Sequence, residues 1–170
     1  MLVTIGDSFT YGTELKNTEL AWPYQLAQRL NMDCVNLAQP GASNDYIVRA
    51  SVNACEEYNP SIMVVAFTTP NRYEHNWEHF TPTKTPHLFQ DWNTEWAENK
   101  FHTQVKLLAK YIPCDSYFLG PWDVDISYAK NYIGTLVEMC EGFSKGPGGH
   151  PLVQGHTAIA NRISKIISKP

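Results

Sequence analysis

Residues 2–12 read LVTIGDSFTYG, a short apolar run that breaks on a glycine and then presents a serine. An α/β protein presents a nucleophile in this way, at the carboxyl end of a strand, where such sheets bind their ligands. Ser8 is therefore the first candidate nucleophile. Glycine, aspartate and serine are also common turn residues, so this stretch alone fits a plain turn equally well. The remaining sequence has to distinguish the two interpretations.

The composition indicates one folded domain spanning residues 1–170. A chain of 170 residues has the size of an ordinary domain and buries roughly two-thirds of its unfolded surface. Its hydrophobic fraction of 43% and charged fraction of 18% argue against disorder. The net charge is −4 and the internal sequence has no basic cluster, so we expect no nucleic-acid partner.

The sequence carries no charged leader with a cleavage site and no apolar run long enough to span a bilayer. We therefore expect a cytoplasmic protein without a membrane partner. The oligomeric state is not predicted. The cysteines are widely separated and lie among apolar neighbours, which is typical of buried thiols and not of a zinc site or a disulfide framework. We expect no metal and no other cofactor. The cysteines are Cys34, Cys55, Cys114 and Cys140.

Strand and helix patterns alternate along the chain. Apolar residues at helical spacing predict helices from about Leu20 to Leu30, over 45–58, over 101–112 and after His150. Apolar runs predict strands at 2–5, 34–37, 62–67 and 116–119, with a short helix near Tyr128 and a last strand within 133–139. This alternation predicts a parallel sheet with helices on both faces.

The segment from 68 to about 93 has no apolar period and is rich in proline, threonine and aromatic residues. A structureless loop of this length in a compact domain is usually functional. The aromatic side chains are interpreted either as a wall that contacts substrate or as a hydrophobic cluster that holds the loop down. The substrate-loop candidates are Tyr73, Trp77, Phe80 and Trp92.

The same segment contains two further signals. His75 and His79 are four residues apart, a spacing that on a helix suits one metal ion. A solvated polar surface is the preferred interpretation, because no third ligand is evident. Arg72 either pairs with Glu74, which is the preferred interpretation, or binds an anionic group.

Four turns of the predicted topology meet at one edge of the sheet, and each carries a group that acyl transfer needs. Ser8 offers a hydroxyl, which is a weak nucleophile until a base takes its proton, and His150 is the natural base. Gly41 and Ser8 offer backbone N–H groups, and Asn71 offers a side-chain amide, as donors to a developing oxyanion.

Three blocks of the sequence together resemble the signatures of the SGNH (GDSL-type) hydrolases. Residues 6–10 look like the first block, 36–41 with Ser43 resembles the second, and 150–151 with 155–156 resembles the last. The resemblance spans almost the whole chain. It implies a three-layer, flavodoxin-like α/β fold with a mostly parallel sheet of about five strands and helices on both faces.

By this resemblance, Ser8 is the nucleophile, His150 the base, and the Ser8 amide, Gly41 and Asn71 the oxyanion donors. The implied reaction is hydrolysis of a small ester or of an O-acetyl group on a carbohydrate, through an acyl-enzyme. Two alternatives stay open. One is an acyltransferase that uses the same serine, and the other is a binding or structural domain that has lost the chemistry.

Two positions depart from the family pattern. The third block normally reads glycine, any residue, asparagine, aspartate, whereas residues 68–72 read TTPNR. The third oxyanion donor is therefore Asn71 or a hydroxyl of Thr68 or Thr69. In addition, Pro147 occupies the place of the aspartate that normally lies three residues before the histidine.

Without that aspartate, His150 needs another group to orient its ring, because an orienting carboxylate holds the right tautomer and stabilises the imidazolium. Asp123, Asp125 and Glu141 are the candidate acids, and a backbone carbonyl of residues 146–149 is a further candidate acceptor. If none of these groups binds the imidazole, the site is a serine–histidine pair.

Overall fold

The structure is a computed structural model that describes residues 1–76, 78–82 and 84–168. Its central strands are β1 (Leu2–Ile5), β2 (Cys34–Asn36) and β3 (Ile62–Ala66), and a small hairpin follows, formed by β4 (Tyr73–His75) and β5 (Glu78–Phe80). The sheet is completed by β6 (Asp115–Gly120) and β7 (Tyr132–Thr135). The five sheet strands run parallel in the order β2-β1-β3-β6-β7, which confirms the predicted sheet.

Helices cover both faces of this sheet, as predicted. They are α1 (Ser8–Tyr11), α2 (Trp22–Leu30), α3 (Asn44–Tyr58), α4 (Thr94–Tyr111), α5 (Leu136–Met139) and α6 (Val153–Ile167), with 3₁₀ turns at Thr18–Leu20 and Pro86–Phe89. Within the ranges that the structure describes, no helix combines the length and the apolar character needed to cross a membrane.

The sheet is buried on both sides, because successive strand residues point to opposite faces. In β3, Met63 and Val64 are both fully buried but belong to two different hydrophobic clusters. The first cluster lies against α3 and α4 and includes Ile47 and Phe101. The second lies against α2 and α6 and includes Leu26 and Ile163. The continuous apolar sequence of β3 follows from this burial on two sides.

One local prediction was wrong. The segment before β7 contains turns instead of a helix near Tyr128, because the Asp125 carboxylate accepts hydrogen bonds from the Ser127 N–H at 2.8 Å and hydroxyl at 3.0 Å. Such local bonds compete with helix formation. The last strand, predicted within 133–139, is β7, which begins one residue earlier and ends at Thr135, where Thr135 and Glu138 form the capping box that begins α5.

The connection order creates a crevice at the carboxyl edge of the sheet. From β1 the chain crosses to β2 on one side, and from β2 it returns to β3 on the other side of β1. The loops that follow β1 and β3 therefore lie beside each other at the point where the strand order reverses. Ligands of open α/β sheets bind at this switch point.

A buried histidine supports the packing of α2 on α6. His156 is completely buried, and its Nδ1 atom accepts a hydrogen bond from the Trp22 N–H at 3.2 Å. This bond caps α2, because the N-cap residue Ala21 has no side-chain acceptor. Burial, and to a smaller extent the nearby charge of His150, lower the pKa of His156 to about 4.

We expect acid to destabilise the fold through His156. Its folded-state pKa of about 4 lies below that of a free histidine, so the unfolded state binds the extra proton. The contribution of His156 to the free energy of unfolding is complete above about pH 6.5. It is lost as the pH falls to about 4, and the loss is about 3 kcal/mol in total. Urea unfolding at a series of pH values measures this loss. His156→Asn keeps an acceptor but cannot titrate, so it should lack this component, and equal pH slopes for the two proteins would contradict the assignment.

Candidate active site

The turn after β1 holds Ser8 at the first position of α1. Ser8 is only 9% exposed. The Asp7 side chain caps the helix, because its Oδ1 atom accepts a hydrogen bond from the Phe9 N–H at 3.0 Å. The first N–H groups of a helix have no partner within it. The Ser8 N–H is therefore available as a donor beside its own hydroxyl.

The second loop is a tight turn built on Pro40 and Gly41. The Ala42 N–H donates to the Gln39 carbonyl at 3.1 Å, and Gly41 has φ +79°. Proline followed by glycine is typical of a type II turn, in which the second of these residues requires a positive φ. The Gln39 N–H also donates to the Gly6 carbonyl at 3.1 Å, so this loop is tied to the turn that carries the serine.

The third loop follows β3 and is held by buried polar contacts. The Asn44 side chain accepts from the Thr68 N–H at 3.0 Å and donates to its carbonyl at 2.7 Å. The Thr68 hydroxyl donates to Asp7 at 3.0 Å, and the Thr69 hydroxyl donates to Asp123 at 2.7 Å. Since both hydroxyl protons are engaged by carboxylates, Asn71 remains the better candidate among the three proposed donors.

These loops surround an open cleft of about 520 Å³. The structure brings Ser8, Gly41, Asn71 and His150 together in its wall. All four residues had been predicted to reach this edge of the sheet. The other described residues that line the cleft are Thr13, Pro40, Thr69, Arg72, Thr81, Pro82, Lys84, Trp122 and Asp123.

The imidazole of His150 is bound by the carboxylate of Glu14. The two atoms, Nδ1 of His150 and Oε2 of Glu14, are 2.9 Å apart. The same carboxylate accepts from the backbone N–H of His150 at 3.2 Å and from the Gly148 N–H at 2.8 Å. Because an ionised carboxylate only accepts hydrogen bonds, Nδ1 carries the proton, and the lone pair of the neutral ring is on Nε2.

Several features of Glu14 fit a specialised role. The Gly148 N–H, followed by the His150 side chain, lowers the pKa of the Glu14 carboxyl, which favours the ionised form. Glu14 has φ +70°, a left-handed conformation that is uncommon outside glycine and that clusters at functional sites. A Cβ atom at Gly146 would lie 2.7 Å from the Glu14 carboxyl carbon, so this approach requires a glycine there.

Glu14 corrects the predicted list of orienting acids, which contained Asp123, Asp125 and Glu141. Asp123 accepts from the Thr69 hydroxyl, Asp125 forms the turn with Ser127, and Glu141 is exposed. The sequence contained one signal for Glu14 that was not recognised: Glu14 belongs to the loop after the first strand, on the same rim of the sheet as Ser8.

The aromatic residues of the long segment pack mainly on one another. Tyr73 stacks on Phe80 with ring centroids 5.1 Å apart and on Trp92 at 5.8 Å, and Phe89 contacts Trp92 at 4.9 Å. This supports the hydrophobic-cluster interpretation over the substrate wall for Tyr73, Phe80 and Trp92. Trp77 lies outside the described residues. The segment is also less irregular than predicted, since it contains the β4–β5 hairpin and the 3₁₀ turn.

The other two signals of this segment also have structural partners. The Nε2 atom of His79 lies 2.9 Å from the Gln39 side-chain oxygen, and the described residues contain no group of three metal-binding side chains. Arg72 was expected to pair with Glu74 but pairs with Asp7 at 3.0 Å, whereas Glu74 pairs with Arg49.

No family model and no curated protein matches the chain. Solved structures do match over nearly its whole length. One is a G-D-S-L family protein from Desulfitobacterium hafniense, with 18% identity, a TM-score of 0.65 and 97% of this chain and 98% of that one covered. Another is the esterase EstA from a Pseudoalteromonas species, with 12% identity, a TM-score of 0.59 and coverages of 99% and 98%.

A third match is a two-domain esterase active on acetylated mannans. It is 13% identical, with a TM-score of 0.59, and the alignment covers 98% of this chain and 48% of that one. Such low identities establish a common architecture and not a common substrate. The chain has the three-layer, flavodoxin-like fold of the SGNH (GDSL-type) hydrolases.

Proposed function

We propose that this protein is a serine ester hydrolase in which Ser8, His150 and Glu14 form a catalytic triad. The observation that carries the proposal is the Glu14 carboxylate on the Nδ1 atom of His150, because His150 and Ser8 line the same cleft. Glu14 supplies the orienting acid that the sequence lacks at Pro147. It also weakens the alternative that the domain has lost its chemistry, an alternative that rested on that missing acid.

In the first half of the reaction, the Ser8 oxygen attacks the ester carbonyl carbon while Nε2 of His150 takes the hydroxyl proton. Glu14 stabilises the resulting imidazolium. The tetrahedral intermediate collapses when the bond to the alcohol oxygen breaks, and His150 returns the proton to this leaving group. Water then attacks the acyl-enzyme with His150 again as base, which releases the carboxylic acid and restores the serine.

The developing negative charge of the carbonyl oxygen needs fixed donors. We assign this role to the N–H groups of Ser8 and Gly41 and to the side-chain amide of Asn71. The positive φ of Gly41 and the start of α1 at Ser8 support the first two assignments, and the position of Asn71 in the cleft wall supports the third. Each such donor contributes roughly 3 kcal/mol in well-studied hydrolases.

The substrate class proposed is a small ester, in particular an O-acetyl ester of a carbohydrate. Most of the residues that line the cleft have polar or charged side chains, and Trp122, which also lines it, is 54% exposed. A flat, exposed aromatic ring beside polar groups suits a sugar, which has an apolar face and a polar edge. The match to an esterase active on acetylated mannans is consistent with this class.

The proposal is tested by incubating the purified protein with p-nitrophenyl acetate, p-nitrophenyl octanoate and acetylated mannan or xylan. We expect release of p-nitrophenol from the acetate in preference to the octanoate, and of acetate from the polysaccharides. Transfer of the acetyl group to an added sugar instead of water would favour the acyltransferase. A folded protein that binds these compounds without turnover would favour the binding domain.

A further inference from the structure

Arg72 bridges two of the loops that the proposed reaction needs. Its Nη1 atom lies 3.0 Å from Oδ2 of Asp7 and 3.3 Å from the carbonyl oxygen of Ala42. The contact is shielded from solvent, because the side chains of Arg72 and Asp7 are 15% and 7% exposed. One guanidinium nitrogen therefore joins the turn that carries the serine to the turn that carries Gly41.

Both partners of Arg72 are directly next to groups of the site. Asp7 precedes Ser8 and caps its helix, and its Oδ2 atom also accepts from the Thr68 hydroxyl at 3.0 Å. Ala42 follows Gly41. The Ala42 carbonyl belongs to the second peptide group after the one that carries the Gly41 N–H, so the Arg72 contact restrains the turn that holds this N–H.

We propose that Arg72 is a positioning residue that fixes the Gly41 N–H against the Ser8 hydroxyl. The inference rests on the proposed ester hydrolysis. Oxyanion donors act only when they are about 2.7–3.1 Å from the oxyanion, and a displacement of about 1 Å can cost 10²-fold in rate. A clamp between the two turns holds this distance without touching the substrate itself.

A double-mutant cycle separates positioning from simple neutralisation of Asp7. Arg72→Gln removes both contacts but leaves the buried Asp7 carboxylate unpaired, so this variant can lose stability as well. Asp7→Asn combined with Arg72→Gln removes that charge and keeps a side chain able to cap α1. We expect kcat of the double variant to be about 10- to 100-fold below that of Asp7→Asn alone, with KM changed less than about threefold.

Arg49→Gln, which breaks a separate ion pair with Glu74, is the matched control and should retain the wild-type kcat.

Hydrogen exchange measured by mass spectrometry gives a readout that does not depend on activity. We expect faster exchange in the segment around Gly41 and Ala42 in the double variant than in Asp7→Asn. If wild type hydrolyses esters and the double variant matches Asp7→Asn in kcat and exchange, the clamp is wrong and the proposed function stands. A rise in KM alone would make Arg72 a substrate-binding residue and overturn positioning. The esterase activity of wild type is measured before that of the variants. An inactive wild type would overturn both proposals.

Discussion

Ser8→Ala should lower kcat for p-nitrophenyl acetate by about 10⁴-fold or more, close to the limit of detection. The loss is expected to be this large because the hydroxyl forms the covalent bond, and the remaining donors alone give only a small part of the rate. The substitution removes one oxygen from a side chain for which the structure shows no hydrogen bond among the described residues, so the fold should persist. Steady-state kinetics, with thermal unfolding as the check on folding, measures the effect.

The matched control for this substitution is Ser144→Ala, which removes an exposed hydroxyl from the turn that leads to His150. It should retain wild-type kcat and KM. Residual activity of Ser8→Ala within about tenfold of wild type would show that another group carries the reaction.

Glu14→Gln should lower kcat by about 10²- to 10⁴-fold while KM stays nearly constant. In serine proteases, the corresponding change from acid to amide costs about 10⁴ in rate, because the amide no longer enforces the right tautomer or stabilises the imidazolium. The Gln side chain has a similar volume, and its oxygen can still accept from the Gly148 N–H. The loss should therefore appear in turnover more than in folding or substrate affinity.

The acids named from the sequence provide the comparison for Glu14. Asp125→Asn and Glu141→Gln should retain activity within about twofold of wild type, because neither carboxylate contacts the imidazole. Asp123 lines the cleft, so Asp123→Asn can change KM. It should not reproduce the loss in kcat expected for Glu14→Gln. If Glu14→Gln kept the wild-type kcat and one of the other three variants lost most of its kcat, the acid replaced in that variant would be the orienting residue.

The parts of the fold that depend on local pattern could be predicted from the sequence. The apolar run of β3 had to be buried on both faces, and the Pro40-Gly41 pair had to be a turn wherever it lay. The serine, the glycine and the histidine each followed or preceded a recognisable element, so their convergence followed from the parallel topology alone. Their positions needed no knowledge of side-chain contacts.

The orienting acid did not follow from a local pattern of this kind. Glu14 lies 136 positions from His150 in the sequence. The contact depends on the left-handed backbone conformation of Glu14 and on the absence of a side chain at Gly146, which the Glu14 carboxylate approaches closely. The SGNH pattern places this acid three residues before the histidine, where this chain has Pro147, so the pattern gave no indication of Glu14. The partner of Arg72 was missed for a similar reason, because the acid nearest to it in sequence, Glu74, pairs with Arg49 of α3.

The central claim is that Ser8 is an activated nucleophile. The most direct measurement is the site of covalent modification by a fluorophosphonate, which reacts with serines whose proton is taken by a neighbouring base. After treatment of the folded protein, mass spectrometry of the intact chain and of its peptides should show one adduct, on Ser8, that forms much more slowly in His150→Ala and Glu14→Gln. No adduct on folded wild-type protein, or an adduct on a different residue, would contradict the account.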